Sequence, residues 1–296
     1  MSPTEATTIT SAVLRAWPLP AAGGGKDARG RVVIVGGSDQ TPGAVLLAAE
    51  AALRSGAGKL QVVTAASVAP ALAVALPEAL VVGVPQGPGG DVDPDAADEV
   101  VATASGAAAV LLGPGIRDVD VARELCEHVV PRLDDVGVLV LDAAAHAWVG
   151  GSRGALRRTG ARALLTPNPT ELALTLGAER DAVTADPASH ARELATSEGV
   201  VVLAGGEELW ISDAEGRLWV DQSGGAGLGA SGSGDVQAGL VTGLAARGAS
   251  PAQAAVWGVH LHGRAGDRLA ASVGRLGFLA RELGAEVPRV LTEIEA

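Results

Sequence analysis

The chain alternates between short apolar runs and longer stretches with helical spacing. Six runs, "RVVIVGGS" (31–38), "KLQVVTA" (59–65), "AAAVLLGPG" (107–115), "GVLVLDA" (137–143), "ARALLTPN" (161–168) and "GVVVLAGG" (199–206), are mostly apolar, and most of them end in Gly, Asp or Asn-Pro chemistry. Continuous apolar runs belong to strands buried on both faces, as in a parallel sheet covered by helices. Between and after them, 42–58, 119–132, 170–177 and 187–198 carry apolar residues at helical spacing, and 234–247 and 251–271 predict two long helices. "ELWISD" (208–213) and "RLWVDQ" (217–222) flank "AEG" and predict a hairpin, with Trp210 and Trp219 packed across it. One short helical pattern, Ile9 to Trp17, precedes a Pro-, Gly- and Ala-rich link. Residues 1–30 therefore read as an N-terminal arm and 31–296 as a single doubly wound α/β domain without internal repeats.

Composition narrows what such a domain can do. Of the 296 residues 48% are hydrophobic but only 2% aromatic, and Tyr is absent, so Ala, Val and Leu must fill the core. Few rings, a net charge of −12 and no basic run exclude a nucleic-acid platform, which needs stacking faces and phosphate neutralisation. A single cysteine, Cys126 in the amphipathic stretch "VARELCEHVV", permits no internal disulfide and points to a reducing compartment. No run approaches the ~18 apolar residues of a membrane span and no signal-peptide pattern opens the chain, so a cytoplasmic protein is expected.

In doubly wound sheets ligands sit at the carboxyl ends of the strands. The informative residues are thus those just after each run: 36–38, 113–115, Asp142, "TPNPTE" (166–171) and "AGG" (204–206). A further segment, "GASGSGDVQAGL" (229–240), places Asp235 behind Gly232, Ser233 and Gly234 at the start of a helical pattern. A helix N-terminus offers unpaired N–H groups and partial positive charge, so such a loop can cradle a phosphate. It is not a P-loop, because no "GK[ST]" follows. A carboxylate beside an anion cradle is placed to take a proton from a hydroxyl that attacks a phosphoryl group. The plainer alternative is a first-turn acid that stabilises the helix dipole by about 0.3–1 kcal/mol. His260 and His262, at i, i+2 in "GVHLHGRAGD", read as structural residues on different sides of a helix, and Arg264 with Asp267 as a surface pair.

"GSGD" opening a helix after a hairpin resembles the ribokinase-like superfamily, which implies a three-layer αβα sandwich with a mostly parallel central sheet. Within it the chain is similar to the ADP/ATP-dependent NAD(P)H-hydrate dehydratases, through "KDARGRVVIVGGS" (26–38), "PGAVLLAAEAALRSGAGKLQVVT" (42–64), "LPEAL" (76–80), "LLGPGI" (111–116), "LLTPNPTEL" (164–172) and 225–267. The resemblance implies nucleotide-dependent dehydration of (6S)-NADHX or NADPHX to NADH or NADPH, a metabolite-repair reaction. In it the hydrate hydroxyl is phosphorylated, phosphate is lost, and Asp235 is the base. It further implies that Ala44, Gly115, Asn168 and Asp235 contact the substrate. Ala204, Gly205, Gly206, Glu207 and Glu208, with Gly232, Ser233 and Gly234, would line the adenine nucleotide, ADP or ATP. The "TPNxxE" pattern of vitamin kinases in the superfamily implies that Glu171 organises Mg²⁺; as a residue alone, Glu171 reads equally as a helix-start acid. A homo-oligomer and a separate epimerase chain are also implied. Five positions depart from the family pattern: Asn168 for His and Thr170 for Gly in "TPHPGE", Ala204 for Lys in "LKG", Ala144 for Asp in "DAD", and Gly225 for Asn in "GN". These departures keep two rival readings open, a vitamin or sugar kinase of the superfamily and a non-catalytic nucleotide-binding relative.

Overall fold

In a computed structural model, which describes residues 6–21 and 23–296, each of the six apolar runs forms a strand. In chain order the elements are β1 (Thr7–Thr8), α1 (Ser11–Ala16), β2 (Arg31–Val35), α2 (Pro42–Arg54), β3 (Lys59–Ala65), α3 (Ala69–Ala75), β4 (Ala79–Val84), α4 (Ala97–Ala104), β5 (Ala109–Leu112), α5 (Val119–Val129), β6 (Val138–Leu141), α6 (His146–Gly151), α7 (Ala155–Thr159), β7 (Ala163–Leu165), α8 (Pro169–Leu176), α9 (Arg180–Ala185), α10 (Pro187–Glu198), β8 (Val201–Ala204), β9 (Leu209–Ser212), β10 (Leu218–Asp221), α11 (Ser233–Ala246), α12 (Pro251–Ser272) and α13 (Ala280–Glu295). The sheet runs β1-β10-β9-β8-β7-β6-β5-β2-β3-β4. Strands β2 to β8 are parallel to their neighbours within that block, whereas β9 is antiparallel to both β8 and β10. Side chains alternate between two cores: Val32, Ile34, Leu111 and Val140 face α2, α11, α12 and α13, while Val33, Val35, Leu112 and Leu141 face α4, α5, α8 and α10. This is the expected three-layer αβα sandwich.

Strand β4 is absent from the sequence-predicted elements for a physical reason. Residues 66–84, "ASVAPALAVALPEALVVGV", stay apolar through α3 and β4, so no change of period divides helix from strand. The tryptophan pairing expected across the hairpin is also corrected. Trp219 opposes Ile211 and Trp210 opposes Val220, which sends the two rings to opposite faces. Trp219 stacks instead on Trp17, with ring centroids 6.1 Å apart. The described part of the N-terminal segment extends the sheet, because β1 pairs in parallel with β10 and Leu14 of α1 is fully buried. Among the described residues no helix is long and apolar enough to cross a membrane.

Two features aim this scaffold at one end of the sheet. After β1 at the far edge, the chain enters the parallel block at β2, moves outward through β3 and β4, and returns to β5 on the other side of β2, so the strand order reverses between β2 and β5. Helices α2 and α11 then pack side by side on small residues. A Cβ on Gly239 would lie 2.2 Å from the Ala48 carbonyl oxygen, and one on Gly243 2.3 Å from that of Ala52. The register 48 with 239 and 52 with 243 makes the helices parallel. Since α2 starts just beyond the carboxyl end of β2, the first turn of α11 is carried to that same end.

Candidate active site

At the switch point the loops after β2 and β5 interlock. Gly37 N–H donates to the Pro114 carbonyl at 2.7 Å, and the Thr41 hydroxyl donates to the Gly115 carbonyl at 2.7 Å. Gly115 takes φ +72, and a Cβ on it would stand 3.1 Å from the Ala44 methyl, so Ala44 in the first turn of α2 and Gly115 form one wall. Gly113 is equally committed: a Cβ there would stand 1.9 Å from the Asp142 carbonyl oxygen. The next residue, Ala143, is the only non-glycine with positive φ, +51, among the described residues. Such a backbone costs about 1–2 kcal/mol and persists where the surroundings enforce it, as the Gly113 contact does here.

Three carboxylates from three segments converge on this end. Asp142, at the end of β6, is buried and accepts from the Thr166 hydroxyl at 2.7 Å. Burial pushes its pKa to about 7, with the charges of Glu171 and Asp235 adding to the rise and His146 opposing it. Glu171 closes a capping box on α8: its Oε2 accepts from Asn168 N–H at 2.9 Å, while Asn168 Oδ1 accepts from the N–H groups of Thr170 and Glu171 at 2.9 and 3.0 Å. Burial works to raise the Glu171 pKa, but the nearby His146 and the Asn168 N–H outweigh it and hold the carboxyl below its ordinary value. His146 is buried with Nδ1 3.5 Å from Glu171 Oε2. Asp235, in the first turn of α11, is raised by burial and by the Glu171 charge to about 6.

Glycine conformations build the cradle around Asp235. Gly232 caps α11 with φ +89, and a Cβ there would meet Leu47 of α2 at 2.5 Å. Ser233 N–H is used by the Ala230 carbonyl and Val236 N–H by that of Gly232. The N–H groups of Gly234 and Asp235 are left without partners among the described residues. Around the Cβ direction of Gly234 no atom lies within 4 Å. The cradle thus presents two free donors beside the Asp235 carboxylate.

The remaining expected residues flank this centre unevenly. Gly205 N–H donates to the Pro167 carbonyl at 3.0 Å, which sets the loop after β8 against Asn168. Glu208 Oε1 accepts from Gln222 Nε2 at 2.7 Å, and Gly206 and Glu207 are exposed between them. Ala204 is 0% exposed, its methyl packed in the core on the α5 and α10 side. Ser233 is buried and shares a 2.9 Å hydrogen bond with His262 Nε2. Sequence reasoning missed Thr166 and His146. Thr166 sits in "TPNPTE" and could have been found there, whereas His146 follows an irregular turn and carries no motif. Arg264 and Asp267 do pair, at 3.3 Å, but Asp267 also accepts from Gly224 N–H at 3.1 Å and so fixes the loop as well. A cavity of about 610 Å³ beside Arg29, Glu50, Arg54 and Glu78 opens at the amino ends of β2 to β4 and holds none of this chemistry.

Sheet order, the β9–β10 hairpin and the glycine loop feeding α11 define a ribokinase-like fold. A ribokinase-like superfamily protein from Enterococcus faecalis shares it at TM-score 0.77 and 20% identity, over 98% of this chain and 97% of that one. The family model described as NAD(P)H-hydrate dehydratase matches residues 32–289, and the chain belongs to that family. It is 46% identical over 289 residues to the ADP-dependent (S)-NAD(P)H-hydrate dehydratase of Xanthomonas campestris, covering 97% of this chain and 96% of that protein. It is 34% identical to a bifunctional NAD(P)H-hydrate repair enzyme of Moorella thermoacetica, of whose length it covers 52%. The ADP/ATP-dependent NAD(P)H-hydrate dehydratase of Bacillus subtilis, co-crystallised with ATP/Mg²⁺, superposes at TM-score 0.82 with 28% identity, over 98% of this chain and 99% of that one.

Proposed function

We propose that this protein restores NADH and NADPH from their (6S)-hydrates at the expense of ADP or ATP, with Asp235 as the base. The observation that carries the reading is the first turn of α11, where a partly buried carboxylate stands beside two unpartnered N–H groups in a chain 46% identical to an ADP-dependent dehydratase. The substrate hydroxyl oxygen attacks the terminal phosphorus of the nucleotide, its proton passes to Asp235, and the phosphoanhydride bond breaks to give AMP or ADP. The phosphorylated ring then loses phosphate by C–O cleavage and a proton from the adjacent carbon, which re-forms the double bond. The Gly234 and Asp235 N–H groups hold the negative oxygens of the transferring phosphate.

Ala44 and Gly115 supply the wall for the nicotinamide ring, and Gly205 to Glu208 the side facing the nucleotide. Ala204 lends its backbone there, since its methyl is enclosed. Asn168 spends its carbonyl oxygen on the α8 cap and keeps its amide NH₂ for the substrate. Glu171 keeps Oε1 uncommitted, and with Asp142 it offers the one or two carboxylates that a phosphate-bound Mg²⁺ requires. No group of three His, Cys, Asp or Glu suited to a metal occurs among the described residues, which fits a cation completed by phosphate and water. Bound there, Mg²⁺ would supply charge neutralisation for the phosphates.

The reading includes a cytoplasmic homo-oligomer working beside a separate epimerase. In support of subunit contact, edge strand β4 exposes Leu80 and the adjoining α3 exposes Val74, at 57% and 83%. The test is to incubate the protein with NADHX and ADP or ATP and follow NADH absorbance. Recovery with a nucleotide and none without it is expected. Phosphorylation of a vitamin or sugar alcohol without NADH recovery would replace this reading with that of a kinase.

A further inference from the structure

We infer that His262 is a positioning residue that pins the first turn of α11 through Ser233 and thereby fixes the direction of the free N–H groups and of Asp235. The inference rests on the reading of that turn as the phosphate cradle. The segment from Gly224 to Gly232 contains five glycines and only a single 3₁₀ turn, so its own backbone gives it little rigidity. Helix α12 fastens it at both ends. At the entrance the Ser223 hydroxyl donates to Asp221 Oδ2 at 2.5 Å, His260 Nδ1 donates to Asp221 Oδ1 at 2.8 Å, and Gly224 N–H donates to Asp267. Gly263 makes the approach possible, since a Cβ there would lie 2.1 Å from the Ser223 hydroxyl oxygen.

At the exit the only side-chain hydrogen bond made by Ser233 among the described residues is the 2.9 Å contact with His262 Nε2. The other ring nitrogen, Nδ1, faces Gln237 Nε2 at 3.5 Å. Burial presses the His262 pKa to about 4, against the opposing effects of the Ser233 backbone and the Asp221 charge. The ring is therefore neutral near pH 7 and has one proton to place. An amide NH₂ can only donate, so Nδ1 accepts and Nε2–H donates to the Ser233 oxygen. Such a bond is directional, and it acts on the residue immediately before Gly234 and Asp235. His262 touches no reacting atom; it works by holding Ser233.

The experiment compares wild type, His262→Leu, His262→Gln, Ser233→Ala and the His262→Leu/Ser233→Ala pair. The readouts are kcat and nucleotide KM in the NADH-recovery assay, ADP affinity by calorimetry and the thermal unfolding midpoint. Expected are a loss of roughly tenfold or more in kcat/KM for nucleotide in His262→Leu, most of it recovered in His262→Gln, whose amide can still donate. Ser233→Ala should match His262→Leu, and the pair should be no worse than either. Kinetics within twofold of wild type in His262→Leu, or losses that multiply in the pair, would overturn the inference. Failure of His262→Leu to fold shifts the decision to Ser233→Ala and His262→Gln, which remove and keep the bond with smaller changes in volume. Wild-type protein without NADH recovery would defeat the functional reading alone. ADP affinity would still decide the positioning role, through a loss shared by His262→Leu and Ser233→Ala and absent in His262→Gln.

Discussion

Replacing Asp235 by Asn should damage activity and improve stability, and the second effect has a definite pH signature. Folding raises the Asp235 pKa from its ordinary 3.8 to about 6. A raised acid binds its proton longer in the folded state than in the unfolded one, so the folded protein loses stability as pH climbs from about 4 through about 6 and is level above that. At about 1.36 kcal/mol per pH unit, the full rise corresponds to roughly 3 kcal/mol at pH 8. Asn has the same shape and never ionises. Urea unfolding of Asp235→Asn should therefore give a midpoint close to wild type at pH 4 and a gain of about 2–3 kcal/mol at pH 8, while turnover falls ~10²–10⁴-fold with nucleotide binding retained. A stability gain that is flat with pH, or largest at low pH, would refute the desolvated carboxylate. Near-normal turnover would refute the base.

On the proposed reading the same group should set the pH dependence of the reaction. A carboxylate base works when ionised, so kcat/KM should rise with pH through about 6 and the rise should vanish in Asp235→Asn, as a rate–pH profile will show. Gly239→Ala and Gly234→Ala should behave oppositely. The first drives a methyl into the Ala48 carbonyl and should cost about 1–3 kcal/mol in urea unfolding, with activity lost alongside. The second has open space around it and should leave stability unchanged or raise it by about 0.5 kcal/mol while increasing nucleotide KM, because its methyl occupies the space in front of the cradle. Asn168→Ala removes the side-chain cap of α8 and should cost about 1 kcal/mol, with substrate KM rising and ADP affinity unchanged by calorimetry.

The fold was largely legible because a parallel sheet writes itself as unbroken apolar runs, and six of them were present. The places where periodicity failed are those where one apolar stretch changes from helix to strand, as in 66–84. The site was legible to the extent that it lies in glycine-marked loops: Gly115, Asn168, Glu171, Gly205 and Asp235 all fall at strand ends or helix starts. Its chemistry was less so. Nothing local in "DAAAH" announces that Asp142 is enclosed with His146 beneath Glu171, since their proximity arises from the packing of α6 on α8. In the sequence His260 and His262 read as structural, from their spacing and from the lack of a carboxylate or Cys to complete a metal set. The structure places both inside, yet each is bound to a different end of one loop, and i, i+2 spacing on α12 is what lets one helix reach both.

The altered residues also change how positive charge can reach the phosphates. Where the family pattern has Lys in "LKG", Ala204 brings none, and the cluster of Asp142, Glu171 and Asp235 around the cradle contains three carboxylates and one histidine, His146, but no Lys or Arg. Burial pushes the pKa values of two of these carboxylates, Asp142 and Asp235, upward. Near neutral pH part of the acid cluster is therefore neutral, which lowers its repulsion of an incoming nucleotide. What remains to attract the phosphates is the partial charge of the α11 N-terminus and, on the proposed reading, a cation that Glu171 and Asp142 would hold. Each depends on geometry that no single segment supplies. The helix end is delivered by the glycine contacts between α2 and α11, and the carboxylates by the ends of β6 and β7. A site with a lysine can draw phosphate from a distance; this one must have its backbone donors already in place, which is why the pinning of Ser233 from α12 bears on catalysis rather than on folding alone.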